Sequence, residues 1–166
     1  MIDPRSEVTR ALARLGVSFR AHPHAPVRNV HEARAAGLPF DPRALTKTLV
    51  FRLPERFVLA WVAALDRLDY GALARACREN RRRVRYASDD EVASVLGWEP
   101  GGAAPLPPTA GVELVVDERV ALMPVALCGG GRRDLTVELA PRELLARVAH
   151  VQAPLVAVPP VPGAER

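Results

Sequence analysis

The chain has 166 residues, 49% of them hydrophobic and 25% charged; that is enough apolar material for one core and too much for a disordered chain. Arg, Asp, Glu or Pro interrupts every apolar run, which excludes a membrane-spanning segment, and residues 1–7 lack the apolar stretch of a secretory signal, so the expected compartment is the cytoplasm. A balance of 23 basic against 19 acidic residues, net +4, suits an RNA partner without requiring one, and two cysteines, Cys77 and Cys128, are too few for a disulfide scaffold.

Ser6 reads as an N-cap, with Val8, Leu12 and Leu15 at helical spacing and Gly16 as the stop. Residues 17–21 alternate as a strand does, and His22-Pro23-His24-Ala25-Pro26 reads as a loop, because each proline removes a donor and constrains its predecessor. Asn29 caps a helix that Gly37 ends. The densest apolar stretches, 45–51 and 57–65, flank Pro54-Glu55 and predict a β-hairpin in the middle of a sheet, covered on both faces. Asp69 caps a helix carrying Leu73 and Cys77, and a basic run, Arg78 to Arg85, follows it.

Ser88-Asp89-Asp90-Glu91 is a capping box that opens a helix with Val92, Val95 and Leu96 on its apolar face and Gly97 as its end. Residues 101–111 form a Gly- and Pro-rich loop. Strands are expected at 112–116, 123–127 and 135–139, with Gly129-Gly130-Gly131-Arg132-Arg133 between the last two. Pro141 opens a helix from its first position, and 151–158 adds a strand. The whole predicts a single compact α/β domain (mixed α+β) over residues 1–158, with a central mixed sheet or barrel-like core and surrounding helices, followed by a disordered Pro-rich tail, 159–166. No P-loop or dinucleotide-binding glycine pattern opens a helix.

Lys47 is the one lysine in the chain and shares strand parity with Leu49 and Phe51. Its ammonium either lies on a pocket wall, where it would suit an ester carbonyl, phosphate or carboxylate, or snorkels to water from a strand end. Gly101-Gly102 and Gly129–Gly131 are either anion-binding nests, with Arg132 and Arg133 beside them for a phosphate, or plain flexible loops. His22, His24 and His31 match no zinc spacing, so no metal is expected. Cys128 reads as a buried thiol before a nucleophile, Ser88 as a cap, and Arg78–Arg85 as a solvated helix end or a contact for an acceptor stem.

Taken in order, 15–19 leading into His22-Pro23-His24-Ala25-Pro26, then Lys47-Thr48-Leu49-Val50-Phe51, then 87–92, Gly97-Trp98-Glu99-Pro100-Gly101-Gly102 and 131–139, the chain resembles the YbaK/prolyl-tRNA-synthetase-associated (ProX-like) editing family across residues 15 to 157. That resemblance implies an aminoacyl-tRNA deacylase that acts in trans on the ester of mischarged tRNA, the tRNA for proline carrying alanine, cysteine or another small residue. It implies no metal and no organic cofactor. The partners would be the acceptor end of aminoacyl-tRNA and prolyl-tRNA synthetase, and the protein itself would be a monomer. It assigns catalysis to Lys47 with the backbone of Gly101 or Gly102, and the substrate pocket to His24, Phe40, Thr48, Gly129, Gly130, Gly131 and Arg132. Ala103 to Pro108 replace the family's usual loop and Thr136 a frequent acidic residue, which leaves a catalytically silent aminoacyl-tRNA- or nucleotide-binding module as the alternative.

Overall fold

A computed structural model describes residues 3–157; the tail expected at 159–166 lies outside them. Two sheets carry the fold. Strands β2 (Thr46–Arg52), β3 (Phe57–Ala63), β4 (Arg85–Tyr86), β5 (Val112–Asp117) and β8 (Val151–Ala153) form a five-stranded mixed sheet in the order β4-β2-β3-β5-β8. Strands β1 (Phe19–Pro23), β6 (Ala126–Gly129) and β7 (Leu135–Leu139) form a three-stranded antiparallel sheet in the order β1-β7-β6. The mixed sheet keeps β4 and β8 as open edges among the described residues, so the core is not a closed barrel. The two sheets touch where Leu127 bridges Leu45 just before β2.

The expected hairpin is there, with Thr48 opposite Trp61 and Val50 opposite Leu59. Both of its faces are covered. Val50, Leu59, Trp61, Leu114 and Val116 pack between the sheets together with Leu12 of helix α1 (Glu7–Leu15), while Phe51, Val58, Ala60 and Val115 pack under Leu73 and Cys77 at helix α3 (Tyr70–Ala76). Fully burying one such side chain contributes about 1.5–3 kcal/mol, which is why this hairpin occupies the centre. Helix α2 (Val30–Ala35) starts at Asn29, whose carboxamide accepts from the Glu32 amide, and it precedes the chain's entry into β2.

Four expectations are corrected. His22 and Pro23 belong to β1, because β1 is an edge strand whose outer side has no ladder to lose to proline. Residues 118–121 form a short helix, α5 (Glu118–Ala121), capped by Asp117, so the next strand begins at Ala126 and not at Met123. Strand β8 is only three residues long, with Val156 in a separate bridge to Leu68. The capping box at Ser88 forms and opens α4 (Asp89–Glu91), but residues 92–96 continue it as a π-turn. The wider turn keeps Val92 and Leu96 inside and rotates Val95 into solvent. A last helix, α6 (Pro141–Leu145), begins at proline as expected.

Candidate active site

A cleft of about 460 Å³ opens along the outer edge of β2. Its geometry follows from how little of that edge β4 covers. Strand β4 pairs only with Phe51 and Arg52, and the Ala87 amide then donates to the Val50 carbonyl at 2.9 Å. At the other end, Leu127 bridges Leu45 and donates to the Ala44 carbonyl at 2.8 Å. Backbone polar groups two residues apart in a strand face the same side. The N–H and C=O of Thr48 therefore face outward with those of Val50, in a one-residue gap between Leu127 and Ala87. Strand pairing gives that amide and carbonyl no partner.

The side chains around this gap carry the polarity. Lys47 lies on the face shared with Leu49 and Phe51, and its Nζ donates to the Asp66 carbonyl at 2.8 Å, leaving two further N–H groups. Desolvation lowers its pKa from the ordinary lysine value, and the Asp66 carboxylate opposes that only in part. On the opposite face, Thr46 and Thr48 behave differently. The Thr46 hydroxyl accepts from Trp61 Nε1 and donates to the Leu127 carbonyl, both at 2.8 Å, whereas the Thr48 hydroxyl is buried with no partner.

The two glycine segments meet, and most of their amides are used in meeting. The Gly102 amide donates to the Glu99 carbonyl at 2.8 Å, Gly131 to the Gly102 carbonyl at 2.7 Å, and Gly130 to the Leu135 carbonyl at 3.1 Å. A Cβ on Gly129 would overlap the Ala103 carbonyl oxygen, and one on Gly102 would sit 2.7 Å from the Arg132 backbone. Of the five glycines, Gly101 and Gly129 line the cleft, while Gly130 and Gly131 border a smaller hollow beside Trp98 and α1. Two donors stay free: Gly101, at φ +89°, and Gly129, whose amide faces away from β7, have N–H groups with no hydrogen-bond partner among the described residues. Of Gly101 and Gly102, then, Gly101 keeps an amide that an oxyanion could use, and Gly130 and Gly131, expected on the pocket wall, pack beside the smaller hollow instead.

Arg132 also lines the cleft, but its guanidinium bonds Asp134 at 2.8 Å and the carbonyls of Arg5 and Asp3 at 2.8 and 2.9 Å, so it straps the N-terminal segment to the loop and keeps only two N–H groups over. Arg133, beside it, lines the cleft with a buried Nε that has no partner. Arg28 lines the cleft too, and its guanidinium makes no hydrogen bond or ion pair among the described residues. With Lys47 these make three uncommitted cations, against Asp89 as the carboxylate on the lining. The cleft is positive and suits an anionic ligand. Sequence reading named Arg132 and Arg133 alike for a phosphate and missed Arg28; which arginines stay unpaired is set by distant contacts that spacing does not reveal.

His24 and Phe40 both line the cleft, ring edge to ring face, with centroids 5.8 Å apart. His24 Nδ1 faces the Ala25 carbonyl at 2.8 Å, which can only accept, so that nitrogen carries the proton. In the neutral ring Nε2 then accepts from the Thr136 hydroxyl at 2.8 Å. His22 pairs with Glu138 at 3.3 Å. No group of three His, Cys, Asp or Glu side chains is placed to hold an ion among the described residues. Cys128 is on the lining but donates to the Val137 carbonyl, and burial pushes its thiol up to about 12, far from a nucleophile's range.

Residues 24–146 match the aminoacyl-tRNA editing domain family. The chain is 30% identical over 132 residues to a proline–tRNA ligase of Bacillus velezensis, covering 80% of this chain and 22% of that protein, and 30% identical over 111 residues to one from Bacillus cytotoxicus. It thus spans about a fifth of the length of these curated relatives. Among solved structures, a hypothetical protein superposes with a TM-score of 0.80 at 26% identity, covering 92% of this chain and all of its own. A candidate trans-editing enzyme for prolyl-tRNA synthetase superposes with a TM-score of 0.78 at 24% identity, covering 92% of this chain and 96% of its own, which is a likeness of fold.

Proposed function

Because the chain belongs to the aminoacyl-tRNA editing domain family, we propose that it is an aminoacyl-tRNA deacylase, acting in trans on tRNA for proline that carries alanine, cysteine or another small residue. The observation that carries this reading is the Lys47 ammonium, held by one backbone carbonyl on a positive cleft beside the unpaired amide and carbonyl of Thr48. An aminoacyl ester has the complementary groups: an α-ammonium to donate to the Thr48 carbonyl and an ester carbonyl to accept from an amide or from Lys47. Fixed donors that meet charge only as it develops are worth about 10²–10³-fold in rate each.

In the reaction, water adds to the ester carbonyl, and Lys47 with the Gly101 amide holds the oxyanion. The bond to the ribose oxygen breaks and that oxygen takes the proton. His24 Nε2 is engaged with Thr136, and the reading gives the positioning of the water to the substrate's own ribose hydroxyl, with Asp89 as the carboxylate on the lining. Cations at Arg28 and Arg133 meet the terminal phosphate. The loop after Gly102, Ala103 to Pro108, which departs from the family's usual one, favours a second reading, a module that binds the aminoacylated end without cleaving it.

Deacylation of alanyl-, cysteinyl-, seryl-, threonyl- and prolyl-tRNA by wild type and Lys47→Ala separates the two. The deacylase reading expects one mischarged species to be cleaved and Lys47→Ala to lose at least about 100-fold in kcat/KM with Tm unchanged. Lys47→Ala matching wild type would remove Lys47 from catalysis, and binding without cleavage of any species would establish the silent module.

A further inference from the structure

The basic run after α3 folds onto an aromatic stack at the rim of the cleft. Tyr86 of β4 lines the cleft and is 51% exposed. One face of its ring is backed by Phe51, with centroids 4.7 Å apart and planes 24° from parallel. Its hydroxyl accepts from the Tyr70 hydroxyl at 2.7 Å, and the Tyr70 ring stands edge-on to it at 5.9 Å. The Arg81 guanidinium sits 4.6 Å over the Tyr70 ring. A half-exposed tyrosine fixed on one face and at its hydroxyl has lost its side-chain entropy before any ligand arrives, and it presents its other face as a flat surface.

Charge surrounds this platform unevenly. Arg83 faces Glu79 at 3.6 Å and Arg85 faces Glu91 at 2.7 Å, so those pairs are neutral. The exposed guanidinium groups of Arg75, Arg78 and Arg82 have no carboxylate partner among the described residues. Asp89 and Asp90 follow Tyr86 in the chain, and a phosphate chain would avoid them. A flat aromatic face on a positive cleft, in a segment that follows a run of exposed unpaired arginines, is the combination that single-stranded nucleic acid uses: bases stack on the ring and phosphates meet the cations. The ring also lines the same cleft as Lys47, which puts it on the path of the substrate's own strand and not on a separate docking face.

Resting on the deacylase reading for the cleft itself, we propose that Tyr86 is a stacking platform for a base of the single-stranded 3′ end of tRNA, just before the aminoacylated nucleotide, with Arg78 and Arg82 binding its phosphates. The surface acts on affinity, and the ester chemistry stays in the cleft.

The test reads binding and hydrolysis separately. Binding of uncharged tRNA is measured against salt for wild type, Tyr86→Ala, Tyr86→Phe and the double variant Arg78→Ser/Arg82→Ser. Tyr86→Ala is expected to bind about tenfold more weakly and Tyr86→Phe nearly as wild type, because the ring face is what matters. The double variant is expected to flatten the slope of log K against log salt by roughly 0.7 per arginine. Hydrolysis by the double variant is then compared on aminoacyl-tRNA and on an aminoacyl-adenosine ester: KM rises on the first, and the second is unchanged. Wild-type affinity and salt slope in all variants would overturn the proposal, even with deacylase activity intact, and would leave the arginines to a protein partner. Weakened tRNA binding by an enzyme that cleaves neither substrate would keep the surface and remove the deacylase.

Discussion

Two walls of the cleft are built on opposite plans. The wall formed by residues 99–103 and 129–133 is closed on itself: Glu99 receives the Gly102 amide, Gly102 the Gly131 amide, and the glycines exist because two backbones touch. The wall formed by the first half of β2 is left open, with an outward-facing Thr48 amide and carbonyl, a buried Thr48 hydroxyl with no partner, and a lysine holding one carbonyl. Buried polar groups are nearly always paired, so unpaired ones gathered in one place mark where a ligand completes the structure. Glycine runs look like anion nests in sequence; here they mainly set the cleft's shape, although the Gly101 amide and the Arg133 Nε on that wall also stay without a partner.

The largest effects should separate the walls. Gly129→Ala places a methyl on the Ala103 carbonyl, forcing the two loops apart, and is expected to destabilise the fold by at least about 2–3 kcal/mol in denaturant unfolding. Thr48→Val, on the open wall, removes a hydroxyl that bonds nothing and should leave stability unchanged or slightly higher while altering kcat/KM. Thr46→Val is the control on the same strand face. It leaves Trp61 Nε1 and the Leu127 carbonyl unpaired and should cost about 1–3 kcal/mol. If Thr48→Val destabilises as much as Thr46→Val, the open wall is not open.

The next effect is on pH. Burial disfavours the charged form of Lys47, so its ammonium loses its proton at a lower pH than an ordinary lysine. Activity that needs the charge should therefore fall on the alkaline side before that value is reached, in a wild-type rate corrected for spontaneous ester hydrolysis. Any residual activity of Lys47→Arg, which stays charged, should lack that limb. The stability sign runs the other way. Holding the ammonium out of water is unfavourable in full below the lowered folded value, and the penalty fades as pH rises from there to the unfolded value.

Much of this was legible in the sequence because it rests on local chemistry. Ser6 and Gly16 bound α1, the box at Ser88 forms with Glu91, and the two apolar stretches around Pro54 pair as a hairpin with Lys47 on the Leu49 face. What was not legible depends on pairing at a distance. Strand β7 could have joined the main sheet by its pattern; it instead pairs β1, more than a hundred residues earlier, and splits the strands into two sheets. The gap at Thr48 exists because β4 stops after two residues. Arg132 and Arg133 are indistinguishable in spacing, and only the fold shows that one straps the N-terminal segment while the other keeps an unpaired Nε on the cleft.

The smallest expected effect tests the closed wall directly. Cys128 lies on the cleft lining, where a cysteine near a histidine invites a nucleophilic role, yet its thiol donates to Val137 and burial holds its pKa at about 12. At pH 8 almost none of it is thiolate, and the thiolate is the reactive form. Cys128→Ala should keep deacylation within about twofold of wild type, with a stability loss of order 1 kcal/mol for the sulfur's lost contacts. Thiol labelling of the native protein at pH 8 should track global unfolding and not cleft occupancy. Rapid labelling of Cys128 that substrate blocks would mean that this wall opens in solution, and the contrast between the two walls would fail with it.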